Sequence, residues 1–391
     1  MFPPRPEGRS LHKPNKMTET EAQDEPVVFL EEPDVPYGSL KDQEPSLALP
    51  TSQVIVGDAA STGLGDASVD IVVTSPPYWR KRDYGVEGQI GLERTPEEYV
   101  ESIMRCMREW RRVLTDYGSV FLNVGDTYLD RSLAGIPAMV EFAAHEEKWV
   151  VRNRIIWAKS GGMPGPVSNR LANRYEYVIH FAKKPTGYYY DLNGYADDYG
   201  NGSNPGDVWD VALRRNRGSH LAPFPKELVD RAIDLACPRQ VCTVCGKPRT
   251  RVLARTNRLN PARPQARRAL ELAREHGLTA EHIRAIQAFG VSDVGKATKF
   301  QTGTGHSAQQ VTELAMEAKQ ALGGYSREFT FAKKATIGWS DCGHDAYRRG
   351  VVLDPFVGTG TTLRVARDAG LDGIGVDLNP ILDEDVQQLL Q

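Results

Sequence analysis

The chain has 391 residues, 40% of them apolar, which is enough for two or three folding units with a sizeable core. It has no apolar run of membrane-spanning length and no export signal at its start, which predicts a cytoplasmic protein with no membrane partner. Its five cysteines, an odd number in a long chain, argue against a secreted disulfide framework and favour metal binding or free thiols.

Charge is distributed unevenly along the chain, although the net charge is only −3. Residues 1–50 carry ten acids against five bases and are rich in Pro, Glu and Ser, which predicts a disordered acidic tail. Residues 247–268, in contrast, hold eight Lys or Arg and no acid. A basic run alone does not establish nucleic-acid binding, because such runs are often just solvated faces.

From residue 51 the sequence alternates between strand and helix patterns. Short β-branched runs at 54–56 and 69–73 predict buried strands. Residues 95–98 form a capping box with Pro at the first helical position, and the helix that follows is predicted to end at Gly118. The pattern continues with predicted strands at 119–124, 150–159 and 175–182 and predicted helices at 137–148 and 225–236. This alternation predicts an α/β fold with a doubly wound, Rossmann-like and largely parallel sheet.

The alternation stops at Cys237 and resumes only at Val351. The last part of the chain is predicted to contain strands 351–353 and 373–376 and helices 361–368 and 381–390. This segment is too short to form a domain alone, so 350–391 is expected to complete the sheet begun in 51–236. The intervening 237–349 is then an insertion, with helices predicted at 264–276, 279–289 and 309–322.

A glycine-rich segment with the sequence DPFVGTGTT, residues 354–362, lies directly between a predicted strand and a predicted helix. Glycine lets a ligand approach the backbone, and the helix N-terminus offers free N–H groups. Asp377 ends the next strand, where an acid can bind both hydroxyls of a ribose. The segment has neither a P-loop lysine nor a Gly-x-Gly-x-x-Gly pattern. A ligand with a ribose but no phosphate fits best, and S-adenosylmethionine is the common one.

A second motif, TSPPYW at residues 74–79, follows the strand at 69–73, at the edge where open α/β sheets bind ligands. An exocyclic amine of a nucleobase is a poor nucleophile because its lone pair is delocalised into the ring. The Ser75 hydroxyl and the Pro76 carbonyl can accept its two hydrogens and draw the nitrogen toward a tetrahedral shape. Pro77 stiffens the loop, and Tyr78 can stack on a base flipped out of the duplex.

Together these motifs resemble those of the DNA amino-methyltransferases, and their order, with the catalytic motif first, resembles the β class, a circular permutation. The resemblance covers 53–238 and 350–391 and includes Gly57-Asp58, 157–164, 174–177 and 220–228. It implies transfer of a methyl group from S-adenosylmethionine to adenine N6 or cytosine N4 of double-stranded DNA. The catalytic residues it implies are Ser75, Pro76, Pro77 and Tyr78. The cofactor-binding residues it implies are Asp354, Phe356, Gly358, Gly360, Thr361, Thr362, Asp377 and, in a segment closing over the methionine part, Pro225 and Lys226.

Other functions fit these residues less well. Cytosine C5 methylation needs a thiolate in a Pro-Cys context, whereas this chain has Cys237-Pro238 in the reverse order. Methyltransferases of protein glutamine or structured RNA have a related loop, but there it normally follows the glycine loop. An inactive zinc-containing DNA-binding protein is the alternative from another class, and the intact motifs argue against it.

The target atom is expected to be cytosine N4, with adenine N6 as the alternative. In the family that the chain resembles, Ser at the head of the Pro-Pro-Tyr motif most often accompanies cytosine N4, and Asp more often accompanies adenine N6. A Ser hydroxyl can donate as well as accept, so it could also contact the N3 edge of cytosine. A cognate restriction endonuclease would be a further partner if the enzyme belongs to a restriction-modification system.

The insertion carries cysteines at both of its ends. Cys242 and Cys245 form a Cys-x-x-Cys-Gly turn, and Cys342 and His344 form a second pair, which together predict a structural zinc site with Cys237 as an alternative fourth ligand. The zinc-pinned helical insertion, preceded by the basic stretch, is the candidate target-recognition module. A structural lid and a recognition role for the aromatic segment 184–217 remain alternatives.

Overall fold

The computed structural model describes most of the chain from residue 47 onward. The described residues are 47–159, 167–200, 202–212, 225–257, 259, 261, 263–289, 308–332, 334–380, 387 and 390. The chain divides into two compact units, one comprising 36–258 with 332–391 and the other including 259–331. The predicted tail at 1–50 and helix at 381–390 lie almost entirely outside the described residues.

The larger unit is built on an eight-stranded sheet, with strands numbered in chain order. Its strands are β1 (Ser52–Val56), β2 (Val69–Thr74), β3 (Leu114–Val124), β6 (Val150–Ala158), β7 (Tyr175–Ala182), β8 (Val208–Asp210), β13 (Val351–Asp354) and β14 (Asp372–Asp377). Their spatial order is β1-β14-β13-β2-β3-β7-β6-β8. All neighbours are parallel except β3 with β7 and β7 with β6. The C-terminal strands β13 and β14 therefore lie between β1 and β2, as expected if 350–391 completes the first sheet.

Helices cover both faces of the sheet. They are α1 (Pro96–Val113), α2 (Ile136–Glu146), α3 (Leu192–Tyr199), α4 (Lys226–Ala236) and α9 (Thr361–Asp368). Successive residues of β2 point to opposite faces, as a strand requires. Val72 packs in the cluster that contains α1 and α2, whereas Ile71 and Val73 pack with α4 and α9. The result is a mixed α/β, three-layer architecture with a mainly parallel sheet.

The clearest boundary error of the sequence analysis is at Gly118. Helix α1 ends at Val113 and β3 begins at Leu114, so Gly118 lies inside a strand and does not terminate the helix. A Cβ at this position would lie 2.7 Å from Leu114 Cδ2 and 3.1 Å from the Asp70 carbonyl oxygen. The glycine is therefore required by close packing at the start of β3, which sequence spacing cannot reveal.

Several short elements were not predicted. They are the hairpin β4 (Tyr128–Leu129) with β5 (Ser132–Leu133), the pair β9 (Gln240–Cys242) with β12 (Tyr347–Arg349), the pair β10 (Arg251–Arg255) with β11 (Lys334–Trp339), and α3 and β8 named above. Both pairs that enclose the insertion are antiparallel. They form successive two-stranded ribbons at the two ends of the inserted segment, so the ends of that segment do meet.

The second unit is a small helical bundle. Its elements are α5 (Pro264–Glu275), α6 (Ala280–Phe289), α7 (Ala308–Leu322), a 3₁₀ turn (Gly323–Tyr325) and α8 (Ser326–Thr330). Its core includes Ala269, Ile283, Ile286 and Phe329. In neither unit does a described helix have both the length and the apolar character needed to cross a bilayer.

Candidate active site

One cavity of about 640 Å³ opens where parallel strands of the sheet end. The loops that follow β1, β2, β13 and β14 contribute to its wall. The sequence-predicted residues that line it are Ser75, Pro76, Pro77, Tyr78, Asp354, Phe356, Gly358, Thr361, Thr362 and Asp377. Two motifs almost three hundred residues apart in the chain therefore share one cavity.

Asp354 joins the two motifs. Its Oδ1 accepts a hydrogen bond from the Thr74 hydroxyl at 2.7 Å, and its Oδ2 accepts one from the Thr362 hydroxyl at 2.6 Å. The Phe356 amide also donates to Oδ1. Burial raises the pKa of the Asp354 carboxyl to about 6, against the opposing effect of these donors. The carboxyl group thus fixes the end of β2, the glycine loop and the start of α9 relative to one another.

The glycine loop leaves space for a ligand beside its backbone. Gly358 and Gly360 have φ values of +48° and +87°, which side-chain-bearing residues seldom adopt. A Cβ on Gly358 would meet no atom nearer than the Phe356 carbonyl oxygen at 3.9 Å. Helix α9 begins at Thr361 with no side-chain cap, so its first N–H groups remain available to a ligand. Gly360 supplies the turn but is not part of the cavity wall.

Asp377 ends β14 and faces the same cavity. Its Oδ2 accepts from the Gly358 amide and its Oδ1 from the Asn379 amide, each at 3.0 Å. A carboxylate has about four acceptor positions, so these two bonds orient it and leave capacity for two ligand hydroxyls. Among the described residues, the wall contributed by 354–379 contains no Lys or Arg. These groups suit a nucleoside without a phosphate, which is the fit expected for S-adenosylmethionine.

The loop after β2 is held from several sides. The Tyr99 hydroxyl donates to the Pro77 carbonyl at 3.0 Å, and the Trp79 indole donates to the Glu93 carbonyl at 3.0 Å. The Tyr78 ring lies against the backbone at Gly125, where a Cβ would be 2.8 Å from Tyr78 Cε2. The position of the loop is thus defined by contacts within the protein alone.

A polar cluster that the sequence analysis did not predict surrounds the Tyr78 hydroxyl. The Ser75 hydroxyl donates to it at 3.3 Å, the Asn123 amide donates to it at 2.6 Å, and it donates to Glu176 Oε2 at 2.7 Å. Lys159 forms an ion pair with the other carboxylate oxygen of Glu176. Burial raises the pKa of the Tyr78 phenol well above its usual value, so the phenol stays protonated.

The antiparallel strand β7 explains why Glu176 reaches this cavity. Because β7 runs against β3, its amino end lies beside the carboxyl end of β3, where Val124 pairs with Tyr177. The preceding residue, Glu176, and Lys159 just beyond β6 therefore arrive at the same edge as Ser75. The segments 157–159 and 174–177 resemble those of the family, but the sequence alone assigns no role to Lys159 or Glu176.

The four predicted metal ligands come together at the ribbon β9–β12. One ligand atom from each of Cys242, Cys245, Cys342 and His344 lies within 4.8 Å of all the others, and we call this group the Cys/His cluster. His344 Nδ1 is 3.6 Å from Cys242 Sγ and 3.4 Å from Cys342 Sγ. A tetrahedral zinc with ordinary bond lengths separates N and S ligands by about 3.6 Å. The donor set and its spacing therefore fit zinc.

Backbone geometry around this cluster is also that of a metal-binding turn. The amides of Val244 and Cys245 both donate to Cys242 Sγ at 3.4 Å, bonds that stabilise a thiolate. Gly246 directly follows the first cysteine pair and Gly343 lies between Cys342 and His344. Their φ values are +69° and +77°. Cys237 is buried elsewhere, with its Sγ 3.8 Å from its neighbour's carbonyl, and is not in the group.

Two other predicted residues are not among those that line the cavity. Pro225 and Lys226 lie at the start of α4, and neither lines the cavity wall. The Lys226 ammonium is instead 2.9 Å from Asp230 Oδ1. Most of the segment expected to close over the cofactor lies outside the described residues.

Comparison with known proteins identifies the family. The family model for N6/N4-type DNA methylases matches residues 69–241. The Type II methyltransferase M.XycI of Xanthomonas campestris pv. cyanopsidis is 34% identical over 216 residues, covering 47% of this chain and 72% of that protein. The chain belongs to the DNA amino-methyltransferase family.

A second relative is similar to this methyltransferase over most of the chain. Type II methyltransferase M.SfiI of Streptomyces fimbriatus is 29% identical over 408 aligned positions, which cover 86% of this chain and 91% of that protein. The solved PvuII DNA methyltransferase, described as cytosine-N4-specific, aligns with 88% of this chain and 92% of its own at 14% identity, with a TM-score of 0.49. As a family member, the protein is an S-adenosylmethionine-dependent enzyme that methylates an exocyclic amine of cytosine or adenine in DNA.

Proposed function

We propose that this DNA methyltransferase modifies cytosine N4 in double-stranded DNA at a specific sequence, after flipping the base out of the duplex. The observation that carries the proposal is the shared cavity, in which the Ser75 loop faces the glycine loop and Asp377. The Thr74–Asp354 hydrogen bond of 2.7 Å fixes these two halves relative to each other. Positioning the two reacting groups is a large part of what an enzyme contributes to a bimolecular transfer.

The cofactor half would hold S-adenosylmethionine without a covalent bond. Asp377 would accept the ribose hydroxyls, and the N–H groups at Thr361 and Thr362 would face the ligand at the start of α9. Phe356 and the two glycines would form the adjoining wall, with Asp354 holding the loop in place. When bound, the cofactor supplies a methyl group on a sulfonium centre. Pro225 and Lys226 remain predicted contacts of its methionine part.

The catalytic loop would hold the target amine. The Ser75 hydroxyl and the Pro76 carbonyl would accept its two hydrogens, Pro77 would keep the loop rigid, and Tyr78 would contact the flipped base. Serine at position 75 favours cytosine, because in the family that the chain resembles a serine at the head of this motif most often accompanies cytosine N4.

Nucleoside mass spectrometry of DNA incubated with the enzyme and cofactor tests the target atom. The expected product is N4-methylcytosine, and N6-methyladenine as the only product would contradict the cytosine assignment. The Ser75→Ala variant should lower turnover by about 10²–10³-fold while leaving cofactor affinity unchanged, because its bond acts mainly in the transition state. Ser68→Ala is the matched control and should retain full activity, because this partly exposed hydroxyl donates only to the Gly65 carbonyl of its own loop.

We further propose that the Cys/His cluster binds one structural zinc ion. The support is the four-ligand grouping with its 3.4 and 3.6 Å ligand spacings and two glycine-containing turns. Elemental analysis should find about one zinc per chain. Cys242→Ser should lose the metal, whereas Cys237→Ala, at a buried cysteine outside the cluster, should retain it. A wild-type protein without metal, purified without chelators, would refute the proposal.

The insertion, 237–349, is proposed as the target-recognition module. Strands β10 and β11 of the insertion carry basic residues, and α5 adds Arg267 and Arg268. Arg268 already pairs with Glu271 and Glu275, at 3.0 and 3.2 Å. The test is replacement of 259–331 by the corresponding segment of a relative with another target sequence. A changed methylation sequence supports the module, and an unchanged one favours the rival segment 184–217. If the enzyme is part of a restriction-modification system, an endonuclease blocked by this methylation is its expected partner.

A further inference from the structure

A directed chain of hydrogen bonds leads away from the proposed amine site. The Ser75 hydroxyl donates to the Tyr78 hydroxyl at 3.3 Å, and the Tyr78 hydroxyl donates to Glu176 Oε2 at 2.7 Å. All three side chains line the cavity, and Tyr78 and Glu176 are largely withdrawn from solvent. Each member can pass on a proton when it receives one, and the chain ends at a carboxylate.

Amine methylation creates a need for such a chain. A primary amine that gains a methyl group carries one surplus proton and a positive charge, and it becomes the neutral product only when that proton leaves. Once a flipped base and the cofactor fill the cavity, water would not be a free acceptor at the moment of reaction, so a protein group that takes the proton lowers the barrier.

We propose that Ser75, Tyr78 and Glu176 form a proton relay that removes the surplus proton of the methylated amine. The proton leaves the amine nitrogen for Ser75 Oγ as the Ser75 proton moves to the Tyr78 oxygen and the Tyr78 proton moves to Glu176 Oε2. The N–H bonding pair stays on nitrogen, Ser75 and Tyr78 end unchanged, and Glu176 becomes a neutral carboxylic acid. Release of products to solvent then lets Glu176 lose the proton. The relay rests on the proposed methyl transfer at Ser75.

Two neighbours hold the relay in this arrangement. Lys159 pairs with the other oxygen of Glu176 and lies 4.6 Å from the centre of the Trp157 ring, which keeps its positive charge beside the carboxylate. The Asn123 amide lies within 3.3 Å of Ser75 Oγ and 2.6 Å from the Tyr78 oxygen, so it fixes the spacing of the first two members. A buried Asn123 Oδ1 has no hydrogen-bond partner among the described residues, so the amide is oriented by what its nitrogen donates to.

Other charged groups of the cavity must be separated from Glu176 in any pH experiment. The titratable groups in contact with Glu176 are Lys159 and Tyr78. The further charged side chains of the cavity wall are Asp58, Lys81, Arg82, Asp354 and Asp377. Because Asp354 can produce an acidic limb of its own, the test compares variants and does not rely on the wild-type profile alone.

Single-turnover methylation of a DNA duplex, measured over a range of pH, tests the relay. Glu176→Gln should lower the rate by about 10²-fold and remove one protonation from its acidic limb, because the terminal acceptor is lost. Glu176→Asp should recover most of the rate. Cofactor and DNA affinities, measured by calorimetry and fluorescence anisotropy, should stay close to wild type in both variants. A Glu176→Gln rate within threefold of wild type, or an unchanged acidic limb, would overturn the relay.

The Tyr78→Phe variant provides a second test that leaves the Glu176 side chain itself unchanged. It keeps the ring that contacts the base and removes only the relaying hydroxyl, so its single-turnover rate should fall by a similar factor. The double variant with Glu176→Gln and Tyr78→Phe should be no slower than the slower single variant, because both substitutions interrupt the same proton relay. Fully multiplicative losses would refute the relay. Failure of the relay alone leaves the wild-type enzyme active, whereas a wild type that methylates no DNA would refute the proposed function itself.

Discussion

The cavity and the Cys/His cluster are both binding sites, but they are built in different ways. The cavity lies at the edge of an eight-stranded sheet with helices on both faces, and its side chains hold one another through Asp354, Asp377 and Tyr78. The cluster lies on a ribbon with only three paired positions, and Cys245 is exposed. Hydrogen bonds within the core hold the first site together, whereas the order of the second would depend on the proposed zinc ion.

The buried ion pair between Asp70 of β2 and Arg348 of β12 connects these two regions, and its loss should have the largest effect on stability. Asp70, fully buried at the start of β2, accepts from the Arg348 guanidinium on β12 at 2.5 and 3.0 Å, from the Tyr117 hydroxyl at 2.8 Å and from the Val351 amide at 2.8 Å. Asp70→Ala removes the acceptor that these three residues share and should lower the free energy of unfolding by about 3–5 kcal/mol. Denaturant titration measures it. Asp116→Ala, at an exposed acid paired with Lys184, is the control and should change stability by less than about 0.5 kcal/mol.

Metal removal should lower the stability of the protein without changing the cofactor affinity of the cavity. With free zinc about 1,000-fold above its dissociation constant, loss of the metal should lower stability by about 4 kcal/mol if the unfolded chain does not bind it. Cofactor affinity, measured by calorimetry on the chelated protein, should remain within about twofold of wild type because the cavity is organised by the sheet. Loss of cofactor binding on chelation would show that the two regions are not independent.

The cavity should show a pH effect of its own. Burial raises the pKa of the Asp354 carboxyl to about 6, above the value of about 3.9 in an unfolded chain. Between these two pH values the folded state holds the proton that the unfolded state has lost. The Asp354 carboxyl therefore stabilises the fold at low pH and loses that contribution as the pH rises through about 6. The free energy of unfolding should change by about 3 kcal/mol over this range. The difference in unfolding free energy between wild type and Asp354→Asn, measured without cofactor, should follow this curve. A constant difference across the range would contradict it.

The last expected effect is on cofactor binding by Asp377. Asp377→Ala should weaken S-adenosylmethionine binding by roughly 1.5–3 kcal/mol for each hydrogen bond to the ribose that is lost. The Gly358 amide also loses its acceptor, so Asp377→Asn, which keeps an acceptor oxygen but not the charge, is the informative companion. Asp372→Ala, at the opposite end of the same strand, should leave affinity unchanged. Calorimetry that finds equal affinity for Asp377→Ala and wild type would exclude this residue from the site.

Local features of the fold followed from the sequence. The helix over 361–368 and the strand over 175–182 match the structure at both ends, because apolar periodicity, glycine and proline act within a few residues. The return of 350–391 to the first sheet also followed, since a segment that short cannot bury its own core. The four candidate ligands of the Cys/His cluster could be named because their spacing within each pair is a local property, and the antiparallel ribbon explains why the two pairs meet.

Only the tertiary structure decided which distant residues share a site. Glu176 and Lys159 enter the cavity because β7 runs antiparallel to β3 and β6, and strand direction depends on packing over the whole sheet. His344 is grouped with the cysteines and Cys237 is not, although Cys237 is nearer in sequence to the first pair. Gly118 lies within β3, where a Cβ would approach Leu114 and the Asp70 carbonyl too closely, and it does not end a helix. The amino-acid pattern determined local conformation and burial, whereas long-range pairing of strands determined which side chains lie within hydrogen-bonding distance.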